Sequence, residues 1–482
     1  MISVTDTRGY MLDMELRMPF HFGDTELTAL PHLFLEVEVD IDGTREQGLA
    51  AEGLSPLWFV KDPDLTFTDG LDDMLAVVEQ ASAFAETANP AETVFDCWYD
   101  CYERTREWGE KSPHPALLWG FGPSMIERGL IDAYCTHAGT TFGEALRAGD
   151  FGIDLGTIYP SLSNRTPAEF LPDAPCRSLS LRHTVGFTDP LTDADVGPGE
   201  TLDDELPQTL AEYVEAQELT HFKVKLSGDG DADVDRLRRL AEFFEERCEE
   251  YLVTLDANEQ YGDASAFKAQ WRRFEAAEGV DSLLNHIRYV EQPLARHEAF
   301  TTETESAFTD WEDGPSVIID ESDARVDSLG RALECGYAGT SHKNCKGVFR
   351  GVINACLLAA SRERDPDGEY ILSAEDLTTV GPVSLLQDLA VVAQLGVDHV
   401  ERNGHHYFTG LKMLPDDYRD RLLAGHGDLY HRRESELTTL TVEDSRIDIG
   451  SVVDAPFGYD VTVDPERFTP ASEWSFTPDS TE

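Results

Sequence analysis

The chain has 482 residues, enough for a large barrel and a second unit around a substantial core. It sets 38 Lys and Arg against 93 Asp and Glu, a net charge of −55, and a surface of that sign repels both nucleic acid and anionic membranes. Disorder, the usual companion of so much charge, is argued against by 41% hydrophobic and 10% aromatic content.

The acid is spread evenly along the chain, as in proteins of salt-accumulating halophiles, where high ionic strength screens self-repulsion. The cysteines, at 97, 101, 135, 176, 248, 335, 345 and 356, show no two pairs at zinc-site spacing. The N-terminus is polar and strand-like, and no apolar run approaches the roughly 20 residues that span a bilayer. These features predict a cytoplasmic protein with free thiols.

In chain order, Tyr10 to Met18 and Leu30 to Val39 read as two strands, joined by a loop at Pro19-Phe20-His21-Phe22-Gly23-Asp24 that exposes two aromatics. A third strand follows Asp42-Gly43 and runs into Gly48 to Pro56, and helical patterns cover about 70–86, 91–110 and 120–138. Strands followed by helices without alternation indicate an α+β unit over residues 1–160. From about Ser178 the pattern alternates. Strands near 179–187, 221–225, 251–256, 287–291, 317–320, 343, 369–374 and 397–401 are separated by helical stretches, such as the one over Asp233 to Tyr251 with its apolar face at Leu237, Leu240, Phe243 and Phe244. Eight strand–helix units over 176–425 predict a (β/α)₈ barrel. Residues 430–482 turn β-rich, and we expect them to return to the first domain.

Several of these strands end in groups that chemistry can use. Lys223 and Lys225 are two apart on one strand, so they project to the same side. Asp256, Glu291 and Asp320 end three successive strands, where they would converge on one hard divalent cation held by oxygen ligands. Acid is common in this chain, but lysine is not: there are eight, and four of them are Lys223, Lys225, Lys343 and Lys346. A lysine at a strand terminus costs desolvation. Near a cation it should lose pKa and become a base close to neutral pH.

Lys223-Val224-Lys225, Asp256-Ala257-Asn258, Glu291-Gln292-Pro293, Asp320-Glu321-Ser322 and Lys343, in this order and at these intervals, resemble the muconate-lactonizing subgroup of the enolase superfamily (the mandelate racemase/muconate lactonizing enzyme family). The resemblance covers nearly the whole chain, with Pro19-Phe20 and Gly48 to Pro56 similar to the mobile loops of that family's capping domain and 124–133 to one of its helices. It implies an α+β cap over a modified (β/α)₈ TIM barrel, one Mg²⁺ (or Mn²⁺), and removal of a proton α to the carboxylate of a small molecule through a metal-stabilised enediolate. Asp256, Glu291 and Asp320 would be the metal ligands. Lys225 and Lys343 would be acid/bases on opposite faces of the substrate, with Lys223 beside Lys225 as an auxiliary that helps to hold its pKa down and contacts the substrate carboxylate.

Around them, Glu321 is expected to support the ligands or replace Asp320, and Asn258 to bond Asp256. Ser373, Glu401, Phe20, His21 and Trp58 are candidates to meet substrate. Lys346 is expected to be structural, and His405 and His406 to be solvated. The seventh strand ends Leu372-Ser373-Ala374-Glu375-Asp376 without the histidine of the mandelate-racemase branch, and Glu401-Arg402-Asn403 departs from the Asp-x-Asp of dipeptide epimerases. Cycloisomerisation, dehydration of the succinylbenzoate-synthase type and racemisation all remain open. So do an acid-sugar or hydroxy-acid dehydratase of the same fold, a non-catalytic or Schiff-base barrel with an imine on Lys343, and a homo-oligomeric state.

Overall fold

The structure, a computed structural model, describes residues 1–22 and 25–476, the side chains of 21, 22, 25 and 26 excepted. Five strands open the chain: β1 (Ile2–Leu12), β2 (Glu15–Phe22), β3 (Thr25–Ala29), β4 (His32–Ile41) and β5 (Thr44–Gly53). β1, β4 and β5 form an antiparallel sheet, in which alternating residues such as Val37 and Val39 are buried. Residues 19–22 of the loop predicted at 19–24 belong instead to β2, which pairs with β3 at Phe20 and Leu27 in a separate hairpin, and 23 and 24 lie outside the described residues. Phe20 is buried rather than displayed.

Four helices follow: α1 (Pro56–Phe59), α2 (Phe67–Glu86), α3 (Val94–Gly109) and α4 (Ala116–Ala138). Thr66 and Thr93 cap α2 and α3, each accepting a backbone N–H three residues on. α4 is apolar nearly all round and lies under the sheet. The approach there is close enough that a Cβ on Gly48 would lie 1.9 Å from the carbonyl oxygen of Gly129, so glycine at 48 is a packing requirement.

The second body is an eight-stranded parallel ladder: β6 (Ser178–Val185), β7 (His221–Lys225), β8 (Leu252–Asp256), β9 (Ile287–Glu291), β10 (Val317–Ile319), β11 (Gly339–His342), β12 (Ile371–Ala374) and β13 (His399–Glu401). Its order is β12-β11-β10-β9-β8-β7-β6-β13, and its two end strands lie side by side, which makes a (β/α)₈ barrel. The strands are short and apolar, and helices such as Gly230–Arg247 and Val348–Arg364 bury one face against them.

The remaining strands are β14 (Tyr430–Arg432), β15 (Thr438–Leu440), β16 (Arg446–Asp448) and β17 (Thr469–Pro470). The segment beyond 430 therefore divides: β16 pairs with β6 of the barrel, and only β17 adds to β1 of the cap.

Cap and barrel are joined through buried polar groups. The Glu127 carboxylate on α4 accepts the backbone N–H groups of Val348 and Phe349, the free donors at the start of a barrel helix. Arg128 pairs with Glu52 and donates to the carbonyl of Ala51, which fixes the end of β5 above the barrel.

Candidate active site

The C-terminal ends of the barrel strands point under the cap. There the backbone is strained just past three strands: Asn258, Gln292 and Thr378 hold φ of 39°, 35° and 59°. Each such residue costs on the order of 1–3 kcal/mol and persists only where its surroundings over-determine it. For Gln292 the surroundings are explicit. Its side chain donates to the Leu294 carbonyl and the Ser322 hydroxyl, and accepts the backbone N–H groups of Asp320 and Ser322, which locks the end of β9 to that of β10.

Inside this ring the lysines meet the acids. Lys223 Nζ lies 3.0 Å from Asp256, 2.9 Å from Glu291, 2.7 Å from Glu375 and 2.9 Å from Glu401. Lys343 Nζ lies 2.8 Å from Asp320 and 2.7 Å from the same oxygen of Glu375 that Lys223 uses. Lys225 donates to Asp256 at 2.7 Å and to Asn258 at 2.8 Å. Lys346 reaches Asp320 at 3.1 Å and also donates to the Ser341 carbonyl.

The expected supporting contacts take definite forms. Asn258 donates its backbone N–H to Asp256 and its amide to Glu321. Ser373 accepts from Tyr289 and Arg182 and donates to Glu375. Glu401 accepts from Thr184, Asn403 and Lys223. The Trp58 ring lies 5.3 Å under the Lys343 ammonium, and Phe20 packs 4.3 Å from Tyr407. His21 is a further candidate, but its side chain lies outside the described residues.

Three expectations change. Lys223, read as an auxiliary to Lys225, is the most heavily paired cation of the site. A lysine beside a bound cation is expected to lose pKa, but the carboxylates around these lysines act in the other direction. For Lys223 burial does press downward, but Asp256, Glu291, Glu375 and Glu401 together hold its ammonium well above the usual value; for Lys343, Asp320, Glu375 and Glu291 do the same. His406 is not solvated but buried against Asp189, whereas His405 is half-buried, and desolvation pushes its imidazole down to about 3.

Glu375, one residue past β12, was missed. It joins Lys223, Lys343 and Arg182, and despite its burial these three cations hold it well below the usual carboxylate range. Its signal was positional, since it follows its strand by one residue as Asp320 follows β10.

The donor set suits a hard cation. Oxygens of Glu291, Asp320 and Glu375 lie within 4.8 Å of one another, all buried. Both Glu291 oxygens accept no hydrogen bond, and burial, Asp256 and Glu375 push that carboxyl well above its ordinary range. A buried carboxylate whose close cation, Lys223, is shared with three other acids is stabilised when a divalent ion adds positive charge. Asp256 is turned toward Lys223 and Lys225, and so stands at the edge of this cluster.

A (β/α)₈ barrel whose strand ends lie beneath an α+β cap is the fold of the mandelate racemase and muconate lactonizing enzymes, and the chain has that fold. Among solved structures it is similar to the muconate lactonizing enzyme of Pseudomonas fluorescens complexed with muconolactone (TM-score 0.60, 14% identity, covering 96% of this chain and 98% of that one). It is likewise similar to the dipeptide epimerase of Enterococcus faecalis complexed with Mg and a dipeptide (0.58, 12%, 95% and 99%), and to an enolase from Bradyrhizobium complexed with magnesium and mandelic acid (0.55, 14%, 93% and 93%). No family model and no curated protein sequence matches the chain.

Proposed function

We propose that the protein is an enzyme of the enolase superfamily, of the muconate-lactonizing type, that removes a proton α to a carboxylate with the help of a divalent cation. The observation that carries this reading is the convergence of four of the chain's eight lysines on buried strand-end carboxylates, three of which bring oxygens within 4.8 Å of one another.

Asp256, Glu291 and Asp320 would hold Mg²⁺, or Mn²⁺ in its place, with Glu375 beside them. The ion, when bound, would relieve the lysines of neutralising these acids and polarise the substrate carboxylate. Lys225 and Lys343 then act on the α-carbon. The neutral amine of one takes the α-proton, and the electron pair left behind spreads into the carboxylate as an enediolate. The ammonium of the other returns a proton to the opposite face, or stands by as a cation while a β-substituent leaves. Glu375 holds Lys223 and Lys343 at one oxygen, and Arg182 and Ser373 hold Glu375 at the other. The Trp58 ring keeps water from Lys343. A Schiff-base role for Lys343 is the weaker reading, because it gives the buried cluster of Glu291, Asp320 and Glu375 no task.

The test is α-proton exchange in D₂O, followed by NMR with Mg²⁺ present. Lys225→Ala and Lys343→Ala should each lower turnover by about 10²–10⁴-fold while calorimetry still shows the ion bound. Full activity in both variants would overturn the reading.

A further inference from the structure

The chemistry of the cavity wall narrows the substrate. Beyond the lysines and acids, the cavity is closed by Phe20 and Leu27 of the hairpin, Trp58 of α1 and Leu377 after β12. Its other polar walls are acceptors or neutral hydroxyls. Asp376 and Glu401 are carboxylates, and Asn403, 4% exposed, turns an amide oxygen that has no hydrogen-bond partner into the buried space. Among the described residues the only cations on the wall are Lys223, Lys225 and Lys343. Residues 19–29 contain no lysine or arginine. Arg402, behind the wall, is committed to Asp376 and Asp388, and Arg296 to Glu259 and to the carbonyls of Trp58 and Phe59.

The charge of the site points the same way. Five cations (Lys223, Lys225, Lys343, Lys346 and Arg182) are joined by ion pairs to six carboxylates (Asp256, Glu291, Asp320, Asp323, Glu375 and Glu401). That network carries one net negative charge. A divalent ion turns it into one positive charge, which the reacting carboxylate cancels. Proton transfer between substrate and lysine leaves the total unchanged. A second carboxylate on the substrate would thus enter a buried, water-poor space with no counter-charge, against acceptor oxygens or hydrocarbon.

We propose that this site takes monocarboxylates whose α-carbon carries an apolar aryl or alkyl group, and rejects dicarboxylates. This rests on the α-proton abstraction proposed above, and it separates the protein from enzymes acting on a diacid such as muconate.

The test uses pairs of acids that differ by one methyl-to-carboxylate exchange: 4-methylphenylacetate with 4-carboxyphenylacetate, and hexanoate with adipate. Each is titrated into the Mg²⁺-loaded protein by calorimetry and followed for α-proton exchange in D₂O. We expect the monoacid of at least one pair to bind and exchange about 10²-fold better than its partner, the scale of an uncompensated like-charge contact. Leu377→Arg, which puts a cation on the apolar wall, should narrow that ratio by raising binding of the diacid. Preferred binding and exchange of the diacids would overturn the substrate proposal and leave the lysine chemistry standing. Binding of monoacids without exchange would support the substrate class and overturn the chemistry. Neither binding nor exchange for all four acids, with Mg²⁺ bound, would overturn both.

Discussion

Arg17 offers a test of how the cap closes the site. It sits on β2, and its side chain is 2% exposed. It donates to both carboxylate oxygens of Asp204, to the carbonyls of Leu206, Pro207 and His406, and to the Tyr213 hydroxyl. All of these partners lie outside the cap, so one guanidinium ties the hairpin that carries Phe20 to the barrel's strand-end face. Arg17→Met keeps most of the stem and removes the ties. Asp204 is 19% exposed and can recover some hydration, which puts the cost at the lower end for a broken buried pair, about 3 kcal/mol. The β2–β3 hairpin shares little of the cap or barrel core, so this loss should fall on hairpin opening: about 10²-fold in the open fraction. Hydrogen exchange should show the amides of 15–22 and 25–29 losing protection by up to that factor, with the melting temperature nearly unchanged. The apparent affinity for substrate should drop with it, since a competent closed state that is less populated binds more weakly. Unchanged hairpin protection, or a large fall in melting temperature with protection retained, would refute the argument and make Arg17 a residue of the global core.

Asp256→Asn should weaken Mg²⁺ binding by calorimetry, and affinity equal to the parent would remove Asp256 from the ligand set. Stability should rise with salt, because a chain of net charge −55 repels itself and the Debye length falls from about 10 Å at 0.1 M to about 3 Å at 1 M; a melting temperature flat between low and molar KCl would contradict this. Asp132 on α4, bonded to the Leu49 N–H and the Tyr459 hydroxyl, is pushed by burial up to about 7 from an ordinary 3.8. Folding therefore favours its protonated form, and the stability this contributes is full below about pH 4 and lost as pH rises through 7. Three units correspond to at most roughly 4 kcal/mol, so the melting temperature of Asp132→Asn relative to the parent should climb between pH 4 and 8. A constant difference across that range would show that the carboxyl does not titrate there.

How much of this is legible in sequence depends on what each residue's neighbours reveal. The barrel strands are short apolar runs that each end at a polar residue, and that break is visible locally in Leu255-Asp256, Val290-Glu291 and Ile319-Asp320. Glu375 was hidden by its company. It is followed by another acid in a chain where acid is the commonest surface residue, and nothing local shows that Lys223 and Lys343 both reach it. The hairpin was hidden for a different reason: Pro19-Phe20-His21-Phe22 has the residues of a loop, and it is paired only because β3 follows within three residues. His405 and His406 form a one-turn helix just after β13, and the burial of His406 depends on Tyr213, His183 and the hairpin, all distant in sequence.

The sign of the lysine shifts is the most instructive case, because the expected loss of pKa is tied to a bound cation. Burial alone would strip a proton from Lys223, and a sequence shows burial better than it shows company. What decides the outcome is the number of carboxylates within reach, four for Lys223 and three for Lys343, and that number exists only once eight strands have been brought into register. The same fact bears on the chemistry. Lysines held this firmly as ammonium ions are poor bases, so the acids must be given another counter-charge before either lysine can accept a proton. On the proposed reading, ion binding and base activation are one event. Exchange of the α-proton should therefore rise with divalent-ion occupancy and fall away when the ion is chelated, even for acids that still bind.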